Sequence, residues 1–287
     1  MSLFMIDKSQ RCSLLVLSCD AYCDLWRPFF VLLRREWPDC PYLCYLGAGR
    51  VGSKEKGVIT LYSGAGRDWS GCLLDYLDQI PTPYVLLMLD DFFLRRRVDG
   101  KLIDDCLLFA ERHQASQVRL IPRPRPTRKI AGSNLIGECE AGVRYRVCAQ
   151  ASIWDKRHLG NILVRGESAW EFEHNATLRA ESQPAGHYCA RRAVLPYQGL
   201  FAHHVVEKGC WLPHEKWIFG RQRIGCDFCV RKTLPWGQTL ACFLAKIFIG
   251  TANAVPLPIS NAIRALLRRG MMLVMPQVLR RLSGRQK

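Results

Sequence analysis

The stretch Tyr84-Val-Leu-Leu-Met-Leu-Asp-Asp-Phe-Phe-Leu94 drives an apolar run straight into two adjacent carboxylates. Its first six residues are strand material without polar alternation, the pattern of a strand buried on both faces of a sheet. Asp90 and Asp91 fall where that strand must end. Ligands of open α/β sheets bind outside the carboxyl ends of strands, where a pair of acids suits a divalent cation and a cation suits a diphosphate. Alone, the pair has a plainer reading, with one Asp capping a turn and the other solvated.

On either side of this stretch, residues 12–121 alternate strand and helix signals, which predicts a largely parallel sheet covered on both faces. Cys12–Cys19 reads as a buried strand ending at Asp20. Asp24 can cap a helix carrying Trp26, Phe29, Phe30, Leu33 and Trp37 on one stripe, closed by Pro38. Tyr42–Leu46 and Val58–Tyr62 read as short strands. Asp68 precedes a helix over Trp69–Ile80, and Asp99 opens another that runs to His113; Val118–Ile121 reads as a strand. After Pro122 the pattern changes. Pro122-Arg-Pro-Arg-Pro126 reads as a stiff loop, Gly132–Gly142 as a flexible loop and Val143–Cys148 as a strand. Helices are expected over Asp155–Val164 and Ser168–Leu178, with strand-like pieces near Val194 and Phe201.

The chain has 287 residues, 49% of them hydrophobic, enough to bury one substantial core and to exclude disorder as the dominant state. Met1–Arg11 is polar after Phe4, and the apolar run Leu14–Leu17 is too short for a secretory signal. The fourteen cysteines are therefore expected to be reduced, buried small residues of a cytosolic protein. Cys226-Asp-Phe-Cys229 lacks two further ligands at zinc-site spacing and reads as incidental.

A net charge of +16 suggests nucleic acid until it is located. From Phe228 to Lys287 there are ten Lys and Arg and no Asp or Glu, which leaves +6 for the first 227 residues. This tail is also apolar: Leu240–Ile249 is interrupted only by Lys246, and Ile259, Ile263, Leu266 and Leu267 repeat at helical spacing beside Arg264, Arg268 and Arg269. Lys246, Pro256, Pro258 and Pro276 break it into pieces shorter than the roughly 20 apolar residues of a spanning helix. Basic amphipathic helices lying on an anionic membrane surface are the expectation; packing on the main domain is the alternative. Stacking aromatics for single-stranded nucleic acid are missing beyond Phe248. The expected organisation is a domain over 1–232 and a basic amphipathic tail over 233–287.

Five polar or aromatic clusters stand at expected element ends: Asp20, Arg67-Asp68-Trp69-Ser70, Asp90-Asp91, Gln150-Ala-Ser-Ile-Trp154 and Trp170-Glu-Phe-Glu173. Loops at strand ends on a rigid sheet are where binding and catalytic groups gather. In Leu14-Leu-Val-Leu-Ser-Cys-Asp20, Asp68-Trp-Ser70, Leu89-Asp-Asp-Phe-Phe93 and Trp170-Glu-Phe-Glu173, over about residues 10–230, the chain resembles the GT-A type nucleotide-sugar glycosyltransferases of bacterial surface-polysaccharide assembly. The resemblance implies an α/β, Rossmann-like, mostly parallel sheet with flanking helices, extended here by the amphipathic tail. It implies a nucleoside-diphosphate sugar donor and a glycan or lipid-linked acceptor, with attachment to the inner face of the cell membrane. It places Asp20 on the base or ribose, and Arg67 and Asp68 on donor phosphate or ribose. Gln150 and Trp170 fall with the nucleotide-sugar contacts. The family's Asp-x-Asp metal motif is replaced by Leu89-Asp90-Asp91, with Asp91 at its final acid, so a divalent Mn or Mg ion would be held by Asp91 and Asp90, with His203 as a late ligand.

Chemistry assigns the remaining role. If the anomeric centre inverts, a positioned carboxylate must deprotonate the acceptor hydroxyl. Glu171 and Glu173 diverge by about 200 degrees on a helix, so only one faces the site. Glu173 is preferred, because Glu171 can simply favour the helix dipole. Two other readings compete. A metal-dependent nucleotidyltransferase would carry a Gly-rich phosphate loop after the first strand, whereas Ser18-Cys-Asp-Ala-Tyr22 has no glycine. A non-catalytic basic protein bound to membrane or nucleic acid would be indifferent to Asp90 and Asp91.

Overall fold

The computed structural model describes residues 8–64, 66–182, 186–197 and 204–253, with side chains described to residue 244. A short helix α1 (Lys8–Arg11) leads into β1 (Cys12–Leu17), then α2 (Cys23–Glu36), β2 (Cys44–Ala48) and β3 (Val58–Tyr62). Next come α3 (Trp69–Gln79), β4 (Tyr84–Leu89), α4 (Gly100–Arg112) and β5 (Gln117–Arg119). The second half adds β6 (Arg128–Lys129), β7 (Ile136–Glu138), β8 (Ser152–Asp155), α5 (Lys156–Ile162), α6 (Ala169–Ala180) and β9 (His187–Ala190). A small ribbon, β10 (Val206–Glu207) with β11 (Cys210–Trp211), precedes α7 (Pro213–Gln222) and α8 (Trp236–Asn253).

Nine strands form one sheet in the order β3-β2-β1-β4-β8-β5-β9-β7-β6. β3, β2, β1 and β4 are parallel, β8 runs against both β4 and β5, and β5 pairs β9 in parallel. The apolar runs of β1 and β4 dictate this arrangement. Leu14 and Val16 of β1, with Leu86 and Met88 of β4, bury against α2 and α4 on one face. Leu15 and Leu17, with Val85 and Leu87, bury against α3, α5 and α6 on the other. All six positions of β1 are buried, so both faces of the central strands are covered, as their unalternating sequence requires.

The helices of the first half start where their caps say. Asp68 accepts the Gly71 N–H at 2.7 Å to open α3, and Asp99 accepts the Lys101 N–H at 3.1 Å to open α4. Asp24 does not cap α2, which begins one residue earlier; its carboxylate pairs with Arg231. The second half departs further from expectation. Val143–Cys148 is a loop, and the strand in that region is β8, over Ser152–Asp155. Arg146 explains the loop: it is 6% exposed, and its guanidinium donates to the carbonyls of Cys139 and Ala180, which fixes the segment without strand partners. The loop expected over Gly132–Gly142 contains β7, and β9 precedes the piece expected near Val194. Each of the fourteen cysteines is a free thiol.

Leu234 donates to Trp211 O at 2.8 Å and Trp211 donates to Lys232 O at 2.8 Å, so the chain is pinned to the body as it enters α8. Among the described residues no helix is long and apolar enough to cross a membrane. The expected helices around Ile259–Arg269 and Met271–Leu282, and the strand piece at Phe201, lie outside the described residues.

Candidate functional site

The chain runs outward from β1 to β2 and β3, then returns to lay β4 on the other side of β1. Strand order therefore reverses between β1 and β4, and a crevice outside their carboxyl ends is where such sheets take ligands. Ser18, Cys19 and Asp20 follow β1 at that edge; Asp90 and Asp91 follow β4.

The two acids of the pair are placed differently. Asp90 is 7% exposed, its amide donates to Leu17 O at 3.2 Å, and its carboxylate accepts the Ser18 hydroxyl. Ser18 Oγ in turn accepts the Trp26 indole N–H at 2.6 Å. Burial, and then the neighbouring Asp91 carboxylate, push the Asp90 carboxyl well above the usual range, against the Ser18 hydrogen bond. Asp91 is half-buried, and its carbonyl accepts the Val205 N–H at 2.8 Å, which ties the strand end to the segment before β10. The next residue, Phe92, meets Tyr197 edge-on at 5.7 Å and the His204 ring at 5.9 Å.

Across the crevice, Asp20 accepts the backbone N–H groups of Gly49, Arg50 and Val51 at 2.9–3.1 Å. Desolvation opposes ionisation there, but the three amides hold the carboxylate below its ordinary range. Its acceptor capacity thus goes largely into folding the β2–β3 loop against β1. Gly49 is required at that approach, since a Cβ would stand 2.7 Å from Asp20 Oδ2. Arg231 reaches the turn after β1 from the far end of the sequence. It donates to both oxygens of Asp24 at 2.7 and 3.1 Å and to Ala21 O and Gly209 O at 3.0 Å, and lies 4.4 Å over the Tyr22 ring. The Arg231 and Asp24 side chains are 9% and 5% exposed, a buried pair beside the acid pair.

Glu173 stands farther along the same edge. β8 runs antiparallel to β4 with Ser152 opposite Leu87, so the segment entering β8 lies at the carboxyl end of β4. Glu173 Oε1 accepts the Ala149 N–H at 2.9 Å and the Cys148 S–H at 3.1 Å from that segment. Oε2 makes no hydrogen bond among the described residues. Gln150 follows, and its Oε1 is a buried acceptor without a partner. Glu171 closes a capping box with Ser168, its Oε2 accepting the Ser168 N–H and hydroxyl at 2.8 Å, and the Ser168 N–H holds its carboxylate below the usual range. That is the helix-start role its position allowed. Trp170, 81% exposed, is three residues before Glu173 and so shares its side of α6.

Arg67 pairs with Asp75 at 3.3 Å on an exposed surface, and Asp68 caps α3. The Gly71 N–H, first among several amides, lowers the Asp68 carboxyl. Arg67 and Asp68 follow β3, three strands from β4, so the sheet brings Asp20, Asp90, Asp91 and Gln150 closer together than it brings these two. His203 lies outside the described residues. Among the described residues, no group of three or more His, Cys, Asp or Glu side chains is disposed to hold a metal ion. Sequence reasoning missed Ser18, Tyr22, Asp24 and Arg231. Ser18 was legible as the residue leaving β1; the Asp24–Arg231 pair spans 207 positions and leaves no local signal.

Solved structures similar to this chain include S. aureus TarS residues 1–349, at 13% identity and a TM-score of 0.40, covering 63% of this chain and 60% of that one. A cytidylyltransferase from Leptospira borgpetersenii matches at 11% identity and a TM-score of 0.40, covering 61% and 72%. The galactosyltransferase LgtC, in complex with donor and acceptor sugar analogues, matches at 12% identity and 0.34, covering 52% and 59%. The chain thus spans about 60% of the TarS segment it matches. No family model matches the sequence, and no curated protein matches it. Sugar and nucleotidyl transferases both stand among these neighbours.

Proposed function

We propose that the chain transfers a sugar from a nucleoside-diphosphate sugar to a hydroxyl of a glycan or lipid-linked acceptor in polysaccharide assembly. The observation that carries this reading is the acid pair at the β1/β4 switch point, with a third carboxylate, Glu173, held one strand along the same edge. Residues 1–232 would be the catalytic domain. Asp91, half-buried at the rim, would meet the donor's diphosphate end, and Asp90, fixed by Ser18 and Trp26, would hold the strand end in place. Asp20 would set the β2–β3 wall of the nucleotide crevice, and the orphaned Gln150 Oε1 suits a donor hydroxyl.

A divalent cation would be held by Asp91 and Asp90 together with the donor's phosphates. Magnesium is commonly bound by one or two carboxylates together with substrate phosphates, and Asp91 and Asp90 supply hard oxygens at the right edge. Bound there, the ion would neutralise charge developing on the diphosphate leaving group. Glu173 Oε2 would accept the acceptor hydroxyl proton as the new C–O bond forms at the anomeric carbon and the bond to the diphosphate oxygen breaks. Trp170 offers an exposed aromatic face beside it on which an acceptor sugar can stack.

A panel of nucleotide sugars, screened for thermal stabilisation with and without manganese, tests the reading. A nucleoside-diphosphate sugar should raise the melting temperature; stabilisation by a free nucleoside triphosphate alone would replace sugar transfer with nucleotidyl transfer. Glu173→Gln keeps an oxygen for the Ala149 amide but removes the base, so turnover should fall about 10²–10⁴-fold with donor binding unchanged. Full turnover in that variant would remove Glu173 from the mechanism.

The tail forms part of the same proposal. α8 presents Trp236, Leu240 and Leu244, spaced by four and 44–57% exposed, at the head of a stretch with eight basic residues and no acidic one. Such a face suits the inner, anionic surface of the cell membrane. Deleting residues 236–287 is expected to abolish co-sedimentation with anionic liposomes, and unchanged co-sedimentation would end the membrane claim.

A further inference from the structure

Two buried cations stand where β5, β9 and the segment after β7 meet. Arg119 is 1% exposed and Arg146 6%. Neither hydrogen-bonds to a carboxylate among the described residues: Arg119 donates to Tyr145 O at 3.1 Å and to Arg123 O at 3.5 Å, and Arg146 to Cys139 O and Ala180 O. A guanidinium cannot shed its proton inside a protein, and a buried charge without a counter-charge costs several kcal/mol by general estimates. The group that meets Arg119 directly is a thiol. Its Nη2 donates to Cys139 Sγ at 2.8 Å, and Cys139 is 1% exposed. Cys189, fully buried on β9, is its neighbour across the paired strands, with its S–H directed to Ala190 O at 3.3 Å and Ile121 O at 3.5 Å. The register explains the approach: Gly137 faces Cys189 and the Cys139 N–H reaches His187 O at 2.8 Å, so the two cysteines are diagonal neighbours on paired strands.

We propose that Cys139 is a thiolate serving as the anion of Arg119, and that it forms a reversible disulfide with Cys189 when the protein meets hydrogen peroxide. The neighbouring Cys189, then the charges of Arg119 and Arg146, bring the Cys139 thiol down to about 6 against the effect of burial, while Cys139 and burial hold the Cys189 thiol up. The Cys139 thiolate attacks the peroxide O–O bond, forming a sulfenic acid, and the departing hydroxide takes up a proton as water. Cys189 sulfur then attacks the sulfenic sulfur; the S–S bond forms, the S–O bond breaks, and hydroxide leaves with the Cys189 proton as a second water. Two thiols lose two electrons and one peroxide becomes two waters. Cys139 is followed directly by residues 140–145, a largely exposed turn with Gly142 and Tyr145 at φ of 79° and 56°, whose opening would admit the peroxide. The final approach of the sulfurs can be taken up by the short β6–β7 hairpin at the sheet edge. Cys148, a third buried thiol nearby, is committed to Glu173.

The test uses the full-length protein, folded, at neutral pH. After brief exposure to hydrogen peroxide and removal of the excess, the chain is unfolded in N-ethylmaleimide, digested and mapped by mass spectrometry. A cross-linked peptide containing Cys139 and Cys189, lighter by two hydrogens and lost on dithiothreitol treatment, is expected. In Cys189→Ser, dimedone should instead tag Cys139. Recovery of both as maleimide adducts, at a dose that oxidises the exposed Cys19 and Cys229, would overturn the proposal. So would a sulfenic acid on Cys139 with Cys189 still a thiol in the unaltered protein. The readout involves no sugar transfer, so this outcome and that of the donor panel are independent.

Discussion

Asp91→Asn is expected to lower transfer by about a thousandfold or more while leaving the melting temperature nearly unchanged. The substitution keeps the size and shape of the side chain, and the backbone link from Val205 to Asp91 O does not depend on it. What it removes is the negative charge at the rim of the β1/β4 crevice. Charge stabilisation at a diphosphate leaving group amounts to several kcal/mol, and each 1.36 kcal/mol is about tenfold in rate, so about 4 kcal/mol gives the expected loss. Turnover within tenfold of the unaltered protein, with a normal unfolding transition, would place the chemistry elsewhere. Asp90→Asn differs in kind: Asp90 is buried on the Ser18 hydroxyl, so that variant tests the architecture of the strand end as much as the reaction.

The second large effect concerns stability. Arg95 Nη2 donates to Glu215 Oε1 at 2.6 Å, with side chains 8% and 0% exposed, and joins the segment after β4 to the start of α7 across 120 positions. Truncating Glu215 to Ala leaves the Arg95 guanidinium buried without its anion, and breaking such a pair from one side costs about 3–5 kcal/mol. For a body of this size that is about 10 °C or more in melting temperature. Replacing both partners with leucine should recover much of the loss, because the penalty lies in the stranded charge. A Glu215→Ala protein melting within two or three degrees of the unaltered one would show that water reaches Arg95.

What could be read from the sequence follows from the range of the interactions involved. β1 and β4 were legible because burial on both faces forces an unbroken apolar run, and α3 and α4 because Asp68 and Asp99 cap them within three residues of their starts. β7, β8 and β9 were not. They are three or four residues long, too short for a period to show, and they hold their places through cross-strand partners far away in the chain. The false strand at Val143–Cys148 has the composition of one, but Arg146, buried and bonded to two carbonyls, fixes it as a loop. The candidate site divides the same way. Strand-end acids announce themselves, whereas the use of Asp20 on three amides and of Glu171 in its own helix start appears only once side chains have coordinates.

Arg231 imposes an order on biosynthesis. Asp24 leaves the ribosome 207 codons before the cation that neutralises it. Until then the entrance to α2 carries an anion that it cannot bury, and the turn holding Tyr22 lacks its clasp. A product that stops before codon 231 therefore lacks more than its tail: Asp24 at the start of α2 stays without its cation.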